Sequence, residues 1–396
     1  MALATSSIAG ESGLLMKLTV YRDALAENVN HVMKAVSPRT TIPILTGIKL
    51  EATPEGLTLT GSDSDVSIQA FIPLEEDGVQ KIEIHQPGSI VLIARYFADI
   101  VKKLPNDQVD IEVDSRFVTR IRSGQAEFSL NGLDAEEYPR LPVIRADNVV
   151  PIRKDLLKQV IRQTVYAVST SETRPVLTGA NWAIKNGRLT CVATDSHRLA
   201  KRVVAVDVDP AVEYKNVVIP GKSLNELGKI LDDNGNDWVD IAITSNQILF
   251  KTDNIQFFSR LLEGNYPETD GLIPRDAKTE IILNTKEFLQ AIDRASLLAR
   301  EERNNVVKLK TFEAEKRVEI ISQSPEIGRV YESVPVIDHS GEEMRISFSS
   351  KYMMDALTRI DAEEIKVTFT GAMKPFLIRP LDDDNILMLI LPIRTN

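Results

Sequence analysis

The chain repeats its own sequence at an interval of 132 residues. The segment PILTG at 43–47 matches PVLTG at 175–179. A second shift by the same interval aligns 22–25, 154–157 and 286–289, and each of these segments reads basic, acidic, apolar, leucine. Because similarity at a fixed interval marks duplicated structure, the sequence predicts three related repeats in tandem.

Each repeat also contains a second helix signature and several strand patterns. The order basic, any, apolar, any, acidic recurs at 95–99, 222–226 and 351–355, which predicts two helices per repeat. Alternating polar and apolar residues predict strands between the helices, at 56–60, 109–113, 117–121, 239–243, 247–251, 317–321 and 364–368. Turn residues at 53–56, 185–187 and 232–236 separate them. The predicted fold class is therefore α+β, with antiparallel sheets covered on one side by two helices in each repeat.

Two proline-containing linkers divide the chain. They lie at 138–148 and 266–278, and each begins with Tyr-Pro. We therefore expect domains at 16–144, 145–274 and 275–396. The residues before Met16 are small and polar and lack the pattern of a secretion signal, so we expect 1–15 to be a disordered leader.

The composition excludes several classes of protein. Hydrophobic residues make up 43% and charged residues 26%, as in ordinary globular domains. The sequence contains no run of 18 or more apolar residues, so it predicts no membrane-spanning helix. One cysteine, Cys191, and four scattered histidines argue against a disulfide framework and a metal centre. We expect Cys191 to be a buried structural thiol, and the protein to be cytoplasmic, without metal, cofactor or membrane partner.

The predicted helices are basic although the chain is acidic. They are placed at 21–37, 89–103, 151–168, 221–231, 284–300 and 349–360, and they carry sixteen basic and eight acidic residues. The whole chain has a net charge of −10, so the remainder carries −18. One reading is an ordinary mixture of solvated charges. The other is a single basic surface built by the helices, which suits a DNA backbone while the acidic remainder repels it.

The candidate DNA-binding residues lie on or just after these helices: Arg39, Arg95, Lys102, Lys158, Arg162, Arg174, Lys222 and Lys229. No aromatic residues alternate with them and no recognition-helix signature is present, so contact to phosphate alone is favoured. Helices are about 10–12 Å thick, so about twelve are needed to surround a duplex of roughly 20 Å. If the helices line a ring around DNA, two chains are required.

Several motifs that suggest catalysis do not fit. The segment 219–223 resembles a phosphate-binding loop, but Asn216 stands where that motif requires glycine. Asp195, Ser196 and His197 are adjacent in sequence, and adjacent residues do not form a catalytic triad. A calcium loop at 232–235 would have to begin at Ile230. We therefore predict no catalytic residues.

At this point the sequence resembles the bacterial sliding clamp family, the beta subunits of DNA polymerase III, in a form similar to those of Gram-positive bacteria. The similarity spans 16–396, and its specific segments are 43–47, 129–133, 171–175, 193–199, 220–224 and 391–394. It implies a DNA-clamp fold, in which three domains each place two helices on the inside of a ring and antiparallel sheets outside. It also implies a head-to-tail homodimer that encircles duplex DNA without sequence preference and acts as a non-catalytic processivity factor.

The resemblance also implies partners and sites. The partners are the replicative polymerase alpha subunit, the clamp loader, and other replication and repair proteins that carry a clamp-binding motif, near the nucleoid. Of the basic candidates, Arg39, Arg95, Lys102, Arg174, Lys222 and Lys229 match positions on the inner surface of the family's ring. The dimer contact is expected to join Phe128 and Leu130 of one chain to Leu297 and Leu298 of the other.

A peptide pocket is expected between the second and third domains. It would take a short motif containing Gln and Leu or Phe, and its positions are Leu177, Thr194, Ser196, His197, Arg198, Leu199, Pro267, Leu272, Tyr352, Met373, Pro375, Leu389, Ile390, Leu391, Pro392, Ile393 and Arg394. Apolar side chains there suit aliphatic and aromatic anchors. Gly271 departs from the family, since many relatives carry a long basic side chain at that position.

A non-encircling DNA-binding protein with a basic helical face is the alternative function.

Overall fold

A computed structural model describes residues 13–145, 148–231, 237–301 and 303–395. Six helices occur in these ranges: α1 Arg22–Met33, α2 Ala94–Lys103, α3 Lys154–Thr164, α4 Gly221–Ile230, α5 Thr285–Ala299 and α6 Ser350–Leu357.

The strands in the first half of the chain are β1 Leu14–Tyr21, β2 Gly47–Thr53, β3 Gly56–Ser62, β4 Val66–Pro73, β5 Glu75–Glu76, β6 Val79–Gln80, β7 Ile82–Gln86, β8 Gly88–Ile93, β9 Gln108–Asp114, β10 Val118–Ser123, β11 Ala126–Asn131, β12 Val149–Arg153, β13 Gly179–Lys185 and β14 Arg188–Thr194. Those in the second half are β15 Arg198–Ala205, β16 Tyr214–Pro220, β17 Trp238–Ile243, β18 Gln247–Lys251, β19 Ile255–Arg260, β20 Thr279–Asn284, β21 Val306–Phe312, β22 Arg317–Ser324, β23 Gly328–Pro335, β24 Asp338–Gly341, β25 Arg345–Ser349, β26 Glu364–Phe369, β27 Phe376–Pro380 and β28 Ile386–Ile390.

The chain forms two compact bodies. The first body contains the described residues up to Val149 together with 237–260. In one of its sheets the strand order is β11-β10-β9-β1-β7. In another, β17, β18, β19, β4, β3, β2 and β8 are successive neighbours. Helix α1 packs against β3, β4 and helix α2.

The second body contains the described residues 150–231 and those from Leu261 onward. Its main sheet has nine strands in the order β16-β13-β14-β15-β28-β27-β26-β20-β24, and a four-stranded sheet has the order β23-β22-β21-β25. Helix α5 packs on β22, β23 and α6, while α3 packs on β15 and α4. The pairing of β15 with β28 runs antiparallel from Arg198↔Ile390 to Arg202↔Ile386, so it joins segments that are far apart in the sequence.

Every helix begins at the residue that follows a strand. The preceding strands are β1, β8, β12, β16, β20 and β25 for α1 to α6 in that order. Two of the helices carry a side-chain cap: Asn284 accepts a hydrogen bond from the Glu287 amide at 3.0 Å, and Ser349 accepts one from the Tyr352 amide at 3.3 Å. Such caps satisfy backbone donors that a helix leaves free at its start.

The repeated PxLTG segments form the same structure twice. Pro43–Thr46 and Pro175–Thr178 are short 3-10 helices, and the threonine hydroxyl of each donates to the proline carbonyl, at 2.7 and 2.6 Å. Glycine follows because the next strand approaches too closely for a side chain. A Cβ on Gly47 would lie 2.5 Å from Val91 Cγ1, and one on Gly179 would lie 2.7 Å from the Ile219 carbonyl oxygen.

The predicted α+β class is confirmed, whereas several predicted boundaries are wrong. Residues 89–93 lie in strand β8 and 151–153 in β12, where we predicted helix. Phe117 has a φ of 62°, a turn conformation, so β10 begins one residue later than predicted. Leu14 and Leu15 belong to β1, so the leader was predicted two residues too long. Its first twelve residues and the turn predicted at 232–236 lie outside the described residues.

The helical charge excess is also smaller than predicted. Within their observed bounds the six helices carry twelve basic and eight acidic residues, a net charge of +4. Lys34, Arg153, Arg300 and Arg359 lie outside those bounds. The excess belongs to α2, α3 and α4, since α1 is net acidic and α5 and α6 are neutral.

Phe376 allows a test of the core of the second body. Its ring is fully buried and lies 5.3 Å from the Phe348 centroid and 5.5 Å from that of Phe369. We expect Phe376→Ala to lower the free energy of unfolding by about 3–5 kcal/mol, because it leaves a cavity among packed rings. The measurement is chemical denaturation of the full chain. The control is Ile337→Ala, at a side chain that is 49% exposed, and equal losses would contradict this packing.

Candidate peptide-binding site

The turn between β14 and β15 is held by side-chain hydrogen bonds. Asp195 Oδ1 accepts the backbone amides of His197 and Arg198, each at 3.0 Å. Thr194 Oγ1 donates to the Arg198 carbonyl at 2.6 Å and accepts the Ser196 amide at 3.2 Å. Ser196 has a φ of 76°. The turn leaves Ser196 and His197 exposed and directs Arg198 inward.

Arg198 connects three parts of the second body. Its guanidinium donates to Asp195 Oδ2 at 3.1 Å, to Asp355 Oδ2 on α6 at 2.6 Å and to the Tyr166 carbonyl at 3.0 Å. Its Cζ also lies over the Tyr352 ring at 4.5 Å, a cation–π distance. Burial would lower the pKa of Arg198, but the bonds and charges of Asp355 and Asp195 outweigh it and raise that pKa.

An apolar floor lies beside this turn. It is a cluster of buried side chains from β14, β15, β27, β28 and the segments around them: Leu177, Val192, Leu199, Val218, Tyr266, Leu377, Leu387 and Leu389. The Tyr266 hydroxyl accepts the Thr194 amide at 3.0 Å, and burial raises the pKa of Tyr266 to about 12. The hydroxyl therefore stays neutral at physiological pH and joins the floor to the turn.

Large apolar side chains remain exposed in the segments that adjoin these strands. Leu272 is 55% exposed, Met373 54% and Leu391 37%. The C-terminal tail crosses the same region, because the Leu391 amide donates to the His197 carbonyl at 3.0 Å and the Ile393 amide to the Ser347 carbonyl at 2.8 Å. We call the floor, the turn and the tail together the cleft. An open apolar surface beside polar groups is suited to binding an extended peptide with apolar anchors.

Most of the predicted pocket residues lie in these elements. Leu177, Leu199 and Leu389 form part of the floor, and Tyr352 stacks on Arg198. Pro267, Pro375 and Pro392 are half-buried, and Arg394 is exposed. Ile390 differs, because it packs in another core cluster with Ile378 and Phe376 and does not reach the cleft.

Sequence reasoning missed the residues that support the cleft. Asp195 and Asp355 hold Arg198, and Tyr266 bonds the turn. Tyr266 had a signal, because its Tyr-Pro pair repeats at Tyr138, whose hydroxyl donates to the Thr60 carbonyl at 3.5 Å. No sequence signal indicated the role of Asp355, because its partner Arg198 lies 157 positions away.

The corresponding region of the first body also contains a depression beside its linker. Leu45, Ser62 and Pro139 are the repeat counterparts of Leu177, Thr194 and Pro267, and they line one cavity together. There the linker side chains Leu141 and Ile144 pack on a buried cluster of Ala242, Leu249 and Phe258. The first linker therefore packs on this region much as Ile273 of the second linker packs on the floor in the second body.

The predicted DNA-binding residues differ in their surroundings. Arg39, Arg95, Lys102, Arg174 and Lys222 are exposed. Lys229 pairs with Glu226 at 2.9 Å, Arg162 pairs with Asp361, and Lys158 is half-buried. Arg95 and Lys102 lie on α2 in the first body, and Lys222 lies on α4 in the second.

The predicted dimer residues lie near sheet edges. Phe128 and Leu130 are half-buried on β11, an edge strand of the five-stranded sheet. Leu297 is 61% exposed on α5, which packs against β23, an edge strand of the four-stranded sheet, and Leu298 beside it is half-buried. Edge strands with free backbone groups can pair with another chain.

Cys191 is fully buried, and burial raises the pKa of its thiol well above the usual value. Among the described residues, no group of three or more His, Cys, Asp or Glu side chains is placed to hold a metal ion. In the same residues no helix combines the length and apolar character needed to cross a membrane.

Comparison with known proteins gives three family matches in sequence order. Three models of the DNA polymerase III beta subunit match this chain: the model of the N-terminal domain matches 16–142, that of the central domain 151–268 and that of the C-terminal domain 270–394. The chain is 62% identical over 380 residues to the beta sliding clamp of Bacillus subtilis, which covers 96% of this chain and all of that protein. It is 57% identical over 381 residues to that of Halalkalibacterium halodurans, with the same coverage. The crystal structure of the Bacillus subtilis DNA polymerase sliding clamp superposes with a TM-score of 0.93 at 61% identity, covering 96% of this chain and all of that one.

Replacing Arg198 tests the support of the cleft. Arg198→Ala leaves Asp195 and Asp355 without their shared cation, so we expect the free energy of unfolding to fall by about 2 kcal/mol, since the carboxylates keep some access to water. Urea denaturation measures the loss. Lys351→Ala, at an exposed position on the same helix as Asp355, is the control and should change stability by less than about 0.5 kcal/mol. If both variants behave alike, Arg198 does not hold these elements together.

Proposed function

Since the chain belongs to the DNA polymerase III beta subunit family, we propose that it acts as a DNA sliding clamp, a non-catalytic processivity factor for replication. The observation that carries this proposal is the match of three family models, in order, to nearly the whole chain from 16 to 394. High identity along the full length of named beta sliding clamps supports it.

The assembly we propose is a ring of two chains, head to tail, around duplex DNA. Its domains are 16–144, 145–274 and 275–396 in each chain. Phe128 and Leu130 on β11 would meet Leu297 and Leu298 beside β23 of a second copy. Apolar side chains next to unpaired strand edges favour such a contact, because strand pairing and apolar burial would form together.

DNA would be held through its phosphates alone. Arg39, Arg95, Lys102, Arg174 and Lys222 are exposed and can reach phosphate oxygens. Lys229 and Arg162, each paired with a carboxylate, and the half-buried Lys158 would add to the positive field. Contacts to phosphate carry no sequence information, so they allow a protein to move along DNA.

The cleft would bind partner proteins by a short motif with apolar anchors. We propose that these partners are the replicative polymerase alpha subunit, the clamp loader and other replication and repair proteins. The exposed Leu272, Met373 and Leu391 would contact the anchors. Methionine adapts its shape readily, which suits one surface that serves several partners. The place of action would be the cytoplasm, at the nucleoid.

Retention on DNA at high salt concentration distinguishes a ring that encircles the duplex from a protein that only binds its surface. Phosphate contacts weaken steeply as salt rises. A loaded ring should therefore stay on closed circular DNA in high salt and leave once the circle is cut. Retention is measured by gel filtration of loaded plasmid before and after linearisation. Equal loss from circular and linear DNA would instead favour a DNA-binding protein that does not encircle the duplex.

Shortening the tail tests the cleft. Removal of 391–396 deletes the exposed Leu391 and the amide that bonds His197, so we expect affinity for a motif peptide to fall at least about tenfold. Fluorescence polarisation measures the affinity, and sedimentation should show the assembly unchanged. Removal of 395–396 alone is the control. Unchanged affinity in the longer deletion would place the peptide site elsewhere.

A further inference from the structure

A second depression opens on the same face of the nine-stranded sheet as the cleft. It has a volume of about 390 Å³, and its charged lining residues are Arg188, Lys201, Asp270, Arg275, Arg379 and Asp384. Four of these residues are cationic and two are anionic. The lining is therefore net positive on a chain whose net charge is −10.

Two of the four cations are already engaged. Lys201 pairs with Asp270 at 2.8 Å, and Arg188 donates to the Asn385 side-chain oxygen at 2.9 Å. Arg379 differs, because its Nε is buried and has no hydrogen-bond partner among the described residues. Arg275 is exposed at the rim. A buried donor without a partner is costly, and a carboxylate would satisfy it.

The depression continues directly from the floor of the cleft. Leu199 pairs with Leu389, and Lys201 pairs with Leu387, two residues further along the same strands. Residues two apart in a strand share a face and lie about 7 Å from each other. On β27, Arg379 is likewise two residues beyond Leu377 of the floor. Leu387 belongs to the floor and also lines the depression, and Ile273 packs against that floor.

Along these strands the apolar row of the floor, with Leu199 and Leu377, is thus followed by a cationic row that contains Lys201 and Arg379. A peptide lying along the cleft in extended form advances about 3.3–3.6 Å per residue. A side chain about two residues beyond its apolar anchor would reach Arg379 and Arg275. The depression is too polar for another apolar anchor, because charged groups would lose hydration without compensation.

We propose that this depression is a carboxylate-binding extension of the cleft, which selects partner peptides with Asp or Glu about two residues outside the apolar anchor. The proposal rests on the proposed function of the cleft. Arg379 and Arg275 supply the two free cations, while Lys201 and Arg188 set the local field. The extension would raise the affinity for motifs that have an acidic flank. Motifs with neutral flanks would be bound by the floor only.

Three labelled peptides test this extension. They share one core with Gln, Leu and Phe and differ in their flanks, which are glutamate on the N-terminal side, glutamate on the C-terminal side, or glutamine on both. Fluorescence polarisation on the full chain should show one glutamate peptide binding about fivefold more tightly than the glutamine peptide, the range of a partly exposed ion pair. The side that gains affinity gives the direction of the peptide.

Variants identify the groups responsible. Arg275→Gln with Arg379→Gln should abolish the preference and leave the affinity for the glutamine peptide unchanged. Arg379→Lys, which keeps the charge, should retain most of the preference. Lys316→Gln, which removes an exposed charge from the distant β21–β22 turn, should retain all of it. Circular dichroism confirms that each variant is folded.

The outcomes separate the two proposals. If the wild-type chain binds all three peptides equally, or the double variant keeps the preference, the extension is refuted and the cleft stands. If the wild-type chain binds none of the peptides, the proposed docking function of the cleft fails, and the extension fails with it.

Discussion

Antiparallel pairing between distant segments is the constraint on which the architecture depends. In the second body β15 pairs with β28, and in the first body β19 pairs with β4. Each pairing joins two different repeats into one sheet through backbone hydrogen bonds. Because strand register fixes which side chains share a face, these pairings also set the rows of the cleft. The floor and the cationic row beside it are therefore consequences of main-chain register, with Arg198 securing the turn at one end.

Local features of this fold could be read from the sequence, and long-range ones could not. The PxLTG segments and the helix signatures depend on neighbouring residues, so their repetition predicted the structure of each repeat. The apolar run at 89–93 was misread as helix because a short buried strand lacks a period that distinguishes it. Ile390 was assigned to the cleft by resemblance, yet alternation along β28 turns it to the opposite core. No pattern in the sequence indicates that Arg379 stands beside the floor, since that depends on β27 and β28 being paired.

The charge distribution shows how an acidic protein can keep a basic excess on some of its helices. The excess is confined to α2, α3 and α4, with Arg39 and Arg174 in the segments that follow α1 and α3. Several other cations are neutralised locally, as Lys229 is by Glu226. A modest excess suits a protein that must move along its ligand, because each additional phosphate contact would strengthen binding and slow departure. Topology, in the proposed ring, then supplies the retention that weak contacts do not.

Strand β28 has a consequence for how the protein folds during translation. β28 provides Leu387 and Leu389 to the floor, and it pairs with β15 of the preceding repeat. During translation the earlier repeats leave the ribosome and fold first. The floor lacks one of its strands until β28 itself has been synthesised and has emerged from the exit tunnel. A polypeptide that stops before β28 therefore has an incomplete floor.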